Sequence, residues 1–236
     1  MTTIQGSIAK LADNSKIMFE ALGYISSNMS NYNTTGYKTQ RFETYMNSIG
    51  PLRGAVRTDH SQGDHFATFR ELDIAIEGPG FIPITDNNGE IAYTRGGSLS
   101  VNAEGYIVSS GGSLVGGGIK IPANYERIKI EPDGKILVLD SKENAFKDIG
   151  KIPIVAFKNP EGLETLEGSM FKATQESGKP ELLMDHSKIK QGKIERANFE
   201  PYAFINETLK VNSSIISSSR FIKILDQMYQ EAISLR

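Results

Sequence analysis

The stretch IQGSIAKLADNSKIMFEALGYISSNM, residues 4–29, decides the fold. A 4-3-4-3 spacing runs through Ile4, Ile8, Leu11, Ser15, Met18, Leu22, Ile25 and Met29, with Ser15 the one polar member. At 3.6 residues per turn this spacing draws a single apolar stripe along one helix face. The same spacing returns near the other end, through Phe204, Thr208, Val211, Ile215, Ser218, Ile222, Leu225, Tyr229 and Ala232, interrupted at Thr208 and Ser218. No proline precedes Pro51 or follows Pro201. A stripe this narrow needs a second helix to cover it. Both ends are therefore predicted to be long helices built for partners, in the same chain or in neighbouring ones.

The middle reads differently. Leu72, Ile74 and Ile76 alternate with Asp73, Ala75 and Glu77, the period of a half-buried strand. Gly78-Pro79-Gly80 forces a turn, Phe81 to Ile84 starts another strand, and Asp86-Asn87-Asn88-Gly89 signals a hairpin. Further short strands are predicted at 91–95, 99–101, 106–108, 114–115, 119–121, 127–130, 135–139 and 152–157. Between Gly78 and Gly118 lie 11 of the chain's 23 glycines, as closely spaced turns require. The segment from Tyr37 to about Arg70 has no clear period and reads as extended or loop structure, and beyond Phe157 strands thin out. The predicted class is α+β: discontinuous terminal helices forming a coiled-coil-like pair, with an inserted antiparallel β-rich domain. In residue numbers, 1–30 and 203–236 form the helical assembly domain, 31–70 and 186–202 the connecting arms, and 71–185 the β-rich domain.

With 236 residues, 39% apolar and 23% charged, the chain has the composition of a globular protein. A formal net charge of -2 without a basic block argues against nucleic acid as a partner. No stretch approaches the roughly 18 apolar residues of a membrane span, so no membrane insertion is expected. The N-terminus lacks the pattern of a secretory signal peptide. Zero cysteines exclude disulfides and thiolate chemistry.

Catalytic signals are weak. Gly111-Gly112-Ser113-Leu114-Val115-Gly116-Gly117-Gly118 invites a phosphate-loop reading, but Ile119-Lys120-Ile121-Pro122 follows, strand-like and with no hydroxyl after the lysine. His60, His65 and His186, beside Asp59, Asp64 and Asp185, hold metal-ligand chemistry without spacing that unites them. Asp73 and Glu77 share one strand face, where a pair of carboxylates is ordinarily the wet side of a sheet. No G-x-S-x-G elbow occurs. The expectation is no enzyme, no cofactor and no metal. The terminal helices, about 28 to 35 residues long and so roughly 40–50 Å, exceed what a small domain needs. Assembly is the favoured function, and a stand-alone β-rich binding module is the competing class.

Specific blocks resemble the bacterial flagellar rod and hook family. Asn28-Met29-Ser30-Asn31-Tyr32-Asn33-Thr34-Thr35-Gly36-Tyr37-Lys38 is similar to the family's N-terminal signature, with Ser27-Asn28 for Asn-Asn and Met29-Ser30 for Leu-Ala. Leu72 to Phe81, containing Gly78, Gly80 and Phe81, resembles the next block. The run Tyr93-Thr94-Arg95-Gly96 to Gly105-Tyr106 resembles the family's hallmark motif, and Gln191-Gly192-Lys193-Ile194-Glu195-Arg196-Ala197-Asn198 continues the order. The resemblance implies a torque-transmitting shaft subunit in the periplasmic rod of the basal body, exported through the flagellar type III apparatus without a cleaved signal. Its partners would be other rod proteins in an axial homo- or hetero-oligomer. Ile4, Ile8, Leu11, Met18, Leu22, Ile25, Met29, Val211, Ile215, Ile222, Leu225 and Tyr229 are then expected at subunit interfaces. Tyr125 to Gly134 and Asn198 to Pro201 resemble the proximal-rod type more than the distal-rod type.

Overall fold

The computed structural model describes residues 4–46, 52–86, 88–141, 145–167, 169–183 and 187–234. Helices form where the 4-3-4-3 spacing predicts them: α1 is Ile4–Ser30 and α2 is Pro201–Ser234. A proline at the first position of α2 costs nothing, because its missing N–H would have no helical partner. The central strands follow the alternation read above. The chain is α+β and divides into two compact units.

One unit holds α1, residues 40–59 and α2. The helices run antiparallel, with Gln5 near one end hydrogen-bonded to Tyr229 near the other (3.1 Å). Residues 40–59 correct the sequence reading of a periodless arm. They form an antiparallel pair, β1 (Gln40–Met46) and β2 (Leu52–Thr58), in register from Gln40↔Thr58 to Met46↔Leu52. The register puts Arg41, Glu43, Arg53 and Arg57 on one face and Phe42, Thr44, Gly54 and Val56 on the other, and with only two of these four apolar and both faces largely exposed the alternation is too weak to read. Phe42 lies across Gly54, where a Cβ would sit 2.1 Å from the ring. Tyr24 of α1 stacks on Phe42 at 5.6 Å between centroids.

The other unit spans residues 31–39 and 60–198. Its strands are β3 (His65–Ala67), β4 (Ile74–Glu77), β5 (Ile82–Thr85), β6 (Ile91–Thr94), β7 (Leu99–Val101), β8 (Ile107–Ser109), β9 (Leu114–Val115), β10 (Tyr125–Ile130), β11 (Lys135–Asp140) and β12 (Phe146–Lys151). Short strands complete it: β13 (Val155–Ala156), β14 (Glu164–Thr165), β15 (Met170–Lys172), β16 (Glu181–Leu182), β17 (Lys188–Gln191) and β18 (Lys193–Glu195). The largest sheet runs β14-β15-β6-β5-β9-β8-β7, and β10-β11-β12 form a second. Isoleucines dominate the core: Ile74, Ile76, Ile82, Ile84, Ile107, Ile136 and Ile152 are almost solvent-free. Each stabilises the unit by about 1.5–3 kcal/mol through burial. A separate aromatic cluster gathers Phe81, Tyr93, Phe157 and Phe171.

Several predicted strands differ. Residues 119–121 make only an isolated bridge, Tyr106↔Lys120. The strand predicted at 152–157 shrinks to β13, while 146–151, too polar to alternate, pairs with β11. The late segment is not an arm: β17 pairs with β4 and β18 with β3.

Candidate assembly site

Two features stand out, a helical pair with uncovered apolar surface and a buried charge cluster beneath the sequence motifs. The helical pair comes first. In α2 the half-buried positions are Phe204, Thr208, Val211, Ser214, Ile215, Ser218, Ile222, Leu225 and Tyr229, which is the predicted stripe with Ser214 added and without Ala232, which is exposed. No residue of this 34-residue helix is fully buried. On its opposite side Tyr202, Ile205, Leu209, Ile216, Ile224 and Met228 stand at least half exposed. So α2 carries two apolar faces, one against its own chain and one without cover.

In α1, Ile4, Ile8, Leu11, Met18 and Leu22 are half-buried, and Ile25 is buried together with Ala21 and Asn28. Met29 is exposed. The α1 stripe is thus withdrawn from solvent in part, with Met29 left exposed. Asn28 ends α1 with two hydrogen bonds to one residue of β1: its Nδ2 donates to Gln40 O (2.8 Å) and its Oδ1 accepts from Gln40 N (2.9 Å).

The motif blocks, far apart in sequence, converge around Glu195, whose side chain is 0% exposed. Lys38 Nζ donates to Glu195 Oε1 at 2.6 Å, and Gly63 N to the same oxygen at 3.0 Å. Arg95 Nε donates to Oε2 at 2.8 Å. The remaining Arg95 donors reach the carbonyls of Gly80 (2.8 Å), Gly78 (3.1 Å) and Ile76 (3.2 Å). Lys38 also donates to the Ser61 carbonyl. One carboxylate faces two cations, and main-chain carbonyls take up the rest of the positive charge. Gly36 N donates to Glu195 O (2.9 Å). Gly36 has φ +69°, and a Cβ there would lie 2.3 Å from the Arg95 carbonyl carbon. No other residue type fits.

Other motif residues tie down nearby turns. Asn198 Oδ1 accepts from Thr39 N (2.8 Å), and its Nδ2 donates to Ser61 Oγ (3.0 Å). Thr34 Oγ1 donates to Asn31 Oδ1 (3.1 Å). Thr94 Oγ1 donates to Ser169 O (2.9 Å) and accepts from Gly96 N (2.9 Å). Gln191 bridges three main-chain groups, accepting from Ile130 N (3.0 Å) and donating to Glu71 O (2.7 Å) and Ile128 O (2.8 Å). Gly192 N donates to Asp73 O (2.7 Å), and Gly105 closes a turn on Asn102 O (3.0 Å). Phe81 exchanges two backbone bonds with Val155. Tyr93 packs edge-on to Phe157, and burial raises its phenol pKa. Asn33 and Thr35 line a surface cavity with Tyr32, Phe66, Ile194 and Arg196.

Lys38 and Glu195 were not singled out by sequence reasoning as site residues, although both stand inside the motif blocks. Charge within a motif whose neighbours read as turn or strand was the available signal. The predicted wet face of Asp73 and Glu77 is corrected. Asp73 is 1% exposed, while Glu77 lies open and pairs with Lys190 at 3.1 Å. His60 packs against the Phe81 and Phe171 rings, and His65 meets Gln62. His186 and Asp185 lie outside the described residues. Among the described residues no group of three His, Cys, Asp or Glu is placed to hold a metal ion. No helix among them is long and apolar enough to cross a membrane. The glycine run 111–118 surrounds β9 rather than opening a helix.

Residues 75–138 match the domain family described as the flagellar hook protein FlgE/F/G D1 domain. The flagellar basal-body rod protein FlgG of Caulobacter vibrioides is 31% identical, over 90% of this chain and 92% of that protein. FlgG of Bacillus subtilis is 28% identical over 91% and 93%. The rod protein FlgF of Caulobacter vibrioides is 25% identical over 90% of each chain. The FlgF name, that of the proximal-rod type, thus matches less well than the FlgG name, contrary to the order of resemblance read from the sequence. A solved structure of the Helicobacter pylori hook protein FlgE2 aligns with a TM-score of 0.27 and 15% identity, over 66% of this chain and 38% of that one, too low to carry an argument.

Proposed function

The chain belongs to the bacterial flagellar rod and hook family, and from that premise we propose how this structural subunit of the basal-body rod assembles. Residues 1–30 and 203–236 are its polymerising part, and the β-rich unit faces outward and sets spacing and stiffness. The observation that carries this reading is α2, a helix of 34 residues with none fully buried and with a second apolar face in water. A helix that covers so little of its surface gains little in the isolated chain, and neighbouring helices supply the missing cover. The stripe residues Ile4, Ile8, Leu11, Met18, Leu22, Ile25, Val211, Ile215, Ile222, Leu225 and Tyr229 hold the pair together and take further contacts on assembly. Met29 and the outer face of α2 meet neighbours directly.

Contacts of this kind join different surfaces of successive subunits, and such contacts generate helical filaments when the rotation does not close. The partners are other rod and hook proteins, and delivery is through the flagellar type III export apparatus. The role is mechanical, with no catalysis. The higher identity to FlgG-named relatives supports the distal-rod alternative over the proximal-rod type.

Leu22→Asp or Ile222→Asp tests the reading. Each puts a carboxylate into the helical stripe while leaving the β unit untouched. Circular dichroism is expected to show the strands intact, and isolated basal bodies to lack the subunit. Normal swimming in cells carrying either variant as their only copy would sink the proposal.

A further inference from the structure

Phe69 is the only non-glycine residue with a left-handed backbone among the described residues, at φ +58°. Its side chain is also the most exposed of the large apolar ones, at 89%. A Cβ in this conformation costs about 1–2 kcal/mol, and a ring in water recovers nothing. In this conformation the Gly192 carbonyl accepts from both Thr68 N (2.9 Å) and Phe69 N (3.2 Å). A strained residue that presents a ring to solvent points toward use of the ring.

The ring walls an open cavity of about 430 Å³, shared with Arg70, Arg127, Lys129 and Phe146. Its basic groups are weakly engaged. Arg70 lies 3.6 Å from Asp73 and Lys129 lies 3.7 Å from Glu131. Arg127 has no ion pair among the described residues. Glu71 also lines the cavity, and its carboxylate accepts from Ile128 N (3.0 Å). The groove is therefore aromatic and positively charged, and it suits a segment that carries carboxylates beside an apolar side chain.

The same chain has one. Glu161, Glu164 and Glu167 are exposed and lack ion pairs among the described residues, with Leu166 half-buried between them. Lys172, opposite Glu164 on the neighbouring strand, is held by Glu90 at 2.7 Å. Glu164 lies on β14, the edge strand of the seven-stranded sheet, so its outer side is open to another molecule.

We propose that the Phe69 groove of one subunit receives the acidic 161–167 segment of a second copy of this chain. Phe69 is the apolar anchor, and Arg127 and Lys129 face the carboxylates. The contact is heterologous and adds an outer ring of contacts to the helical ones, so it rests on the assembly reading above.

The test uses the full chain as the only copy in the cell, with basal bodies isolated and the subunit quantified. Phe69→Gly is expected to raise the urea midpoint of the isolated chain, because the strain is relieved, and to lower incorporation about tenfold. Arg127→Glu should lower incorporation similarly, and adding Glu164→Arg to the same chain should restore it. Wild-type incorporation of Phe69→Gly and Arg127→Glu, with Ile222→Asp excluded, would overturn the groove contact and leave helical assembly standing. Failure of Glu164→Arg to restore Arg127→Glu would overturn the pairing. Normal incorporation of Ile222→Asp as well would bring down both.

Discussion

Replacing Glu195 with glutamine keeps the shape of the side chain and removes its charge. The carboxylate now takes Lys38 Nζ (2.6 Å) and Gly63 N (3.0 Å) on one oxygen and Arg95 Nε (2.8 Å) on the other. Glutamine offers one oxygen and one NH₂, so whichever way the amide turns, its NH₂ points at a donor. Two cations are then left buried without a counter-ion. Breaking a buried pair in this way costs about 3–5 kcal/mol, a large part of the roughly 5–15 kcal/mol that holds a domain folded. With a urea slope of about 2 kcal/mol per molar, the unfolding midpoint should fall by about 2 M. Far-ultraviolet circular dichroism is the natural readout, with tyrosine fluorescence as a second probe, since the chain has no tryptophan. The loss should persist in about 1 M salt, because a pair sealed from water is poorly screened. A midpoint within about 0.5 M of the parent, or a difference that vanishes in salt, would mean that water reaches the cluster and that the motif blocks are joined by something else.

Gly36→Ala should destabilise the same unit by at least about 2 kcal/mol, since the new methyl meets rigid backbone at Arg95 and the φ is left-handed; unchanged urea unfolding would refute the steric account. Asn28→Ala removes both hydrogen bonds to Gln40 and should cost about 1–3 kcal/mol. Its effect should appear as faster amide exchange at the last turn of α1 and in β1, and equal protection in parent and variant would count against the clamp.

The helices were legible because a 3.6-residue period repeated over eight or nine positions admits few other readings. The glycine-punctuated strands between Ile74 and Val115 were legible from alternation and turn chemistry. The β1–β2 pair was hidden, since on its uncharged face Thr44 and Gly54 interrupt the apolar Phe42 and Val56 and leave too weak a period. The very short strands after Val155 were hidden because their pairing is set by distant partners. The site was half legible. The spacing located the α2 stripe, but the outer face of Tyr202, Ile205, Leu209 and Ile216 went unread, since one sequence can carry two interleaved stripes and the stronger draws attention. Lys38, Arg95 and Glu195 lie 157 residues apart at the extremes, and only folding reveals that they meet.

The chain enters its helical unit three times, at residues 1–30, 40–59 and 199–236. Closing α1 against α2 therefore waits for the last segment, whatever else has already formed. The strands of the other unit pair mostly over short separations and can form first, while the helix contact carries the longest loop in the chain. A subunit truncated between residues 60 and 199 keeps α1 and its contacts to the β1–β2 pair but lacks α2, and with it the second apolar face. The second apolar face, on which the assembly reading rests, thus arrives only with the last segment, so an incomplete copy lacks the largest of the surfaces it would offer to the growing tip.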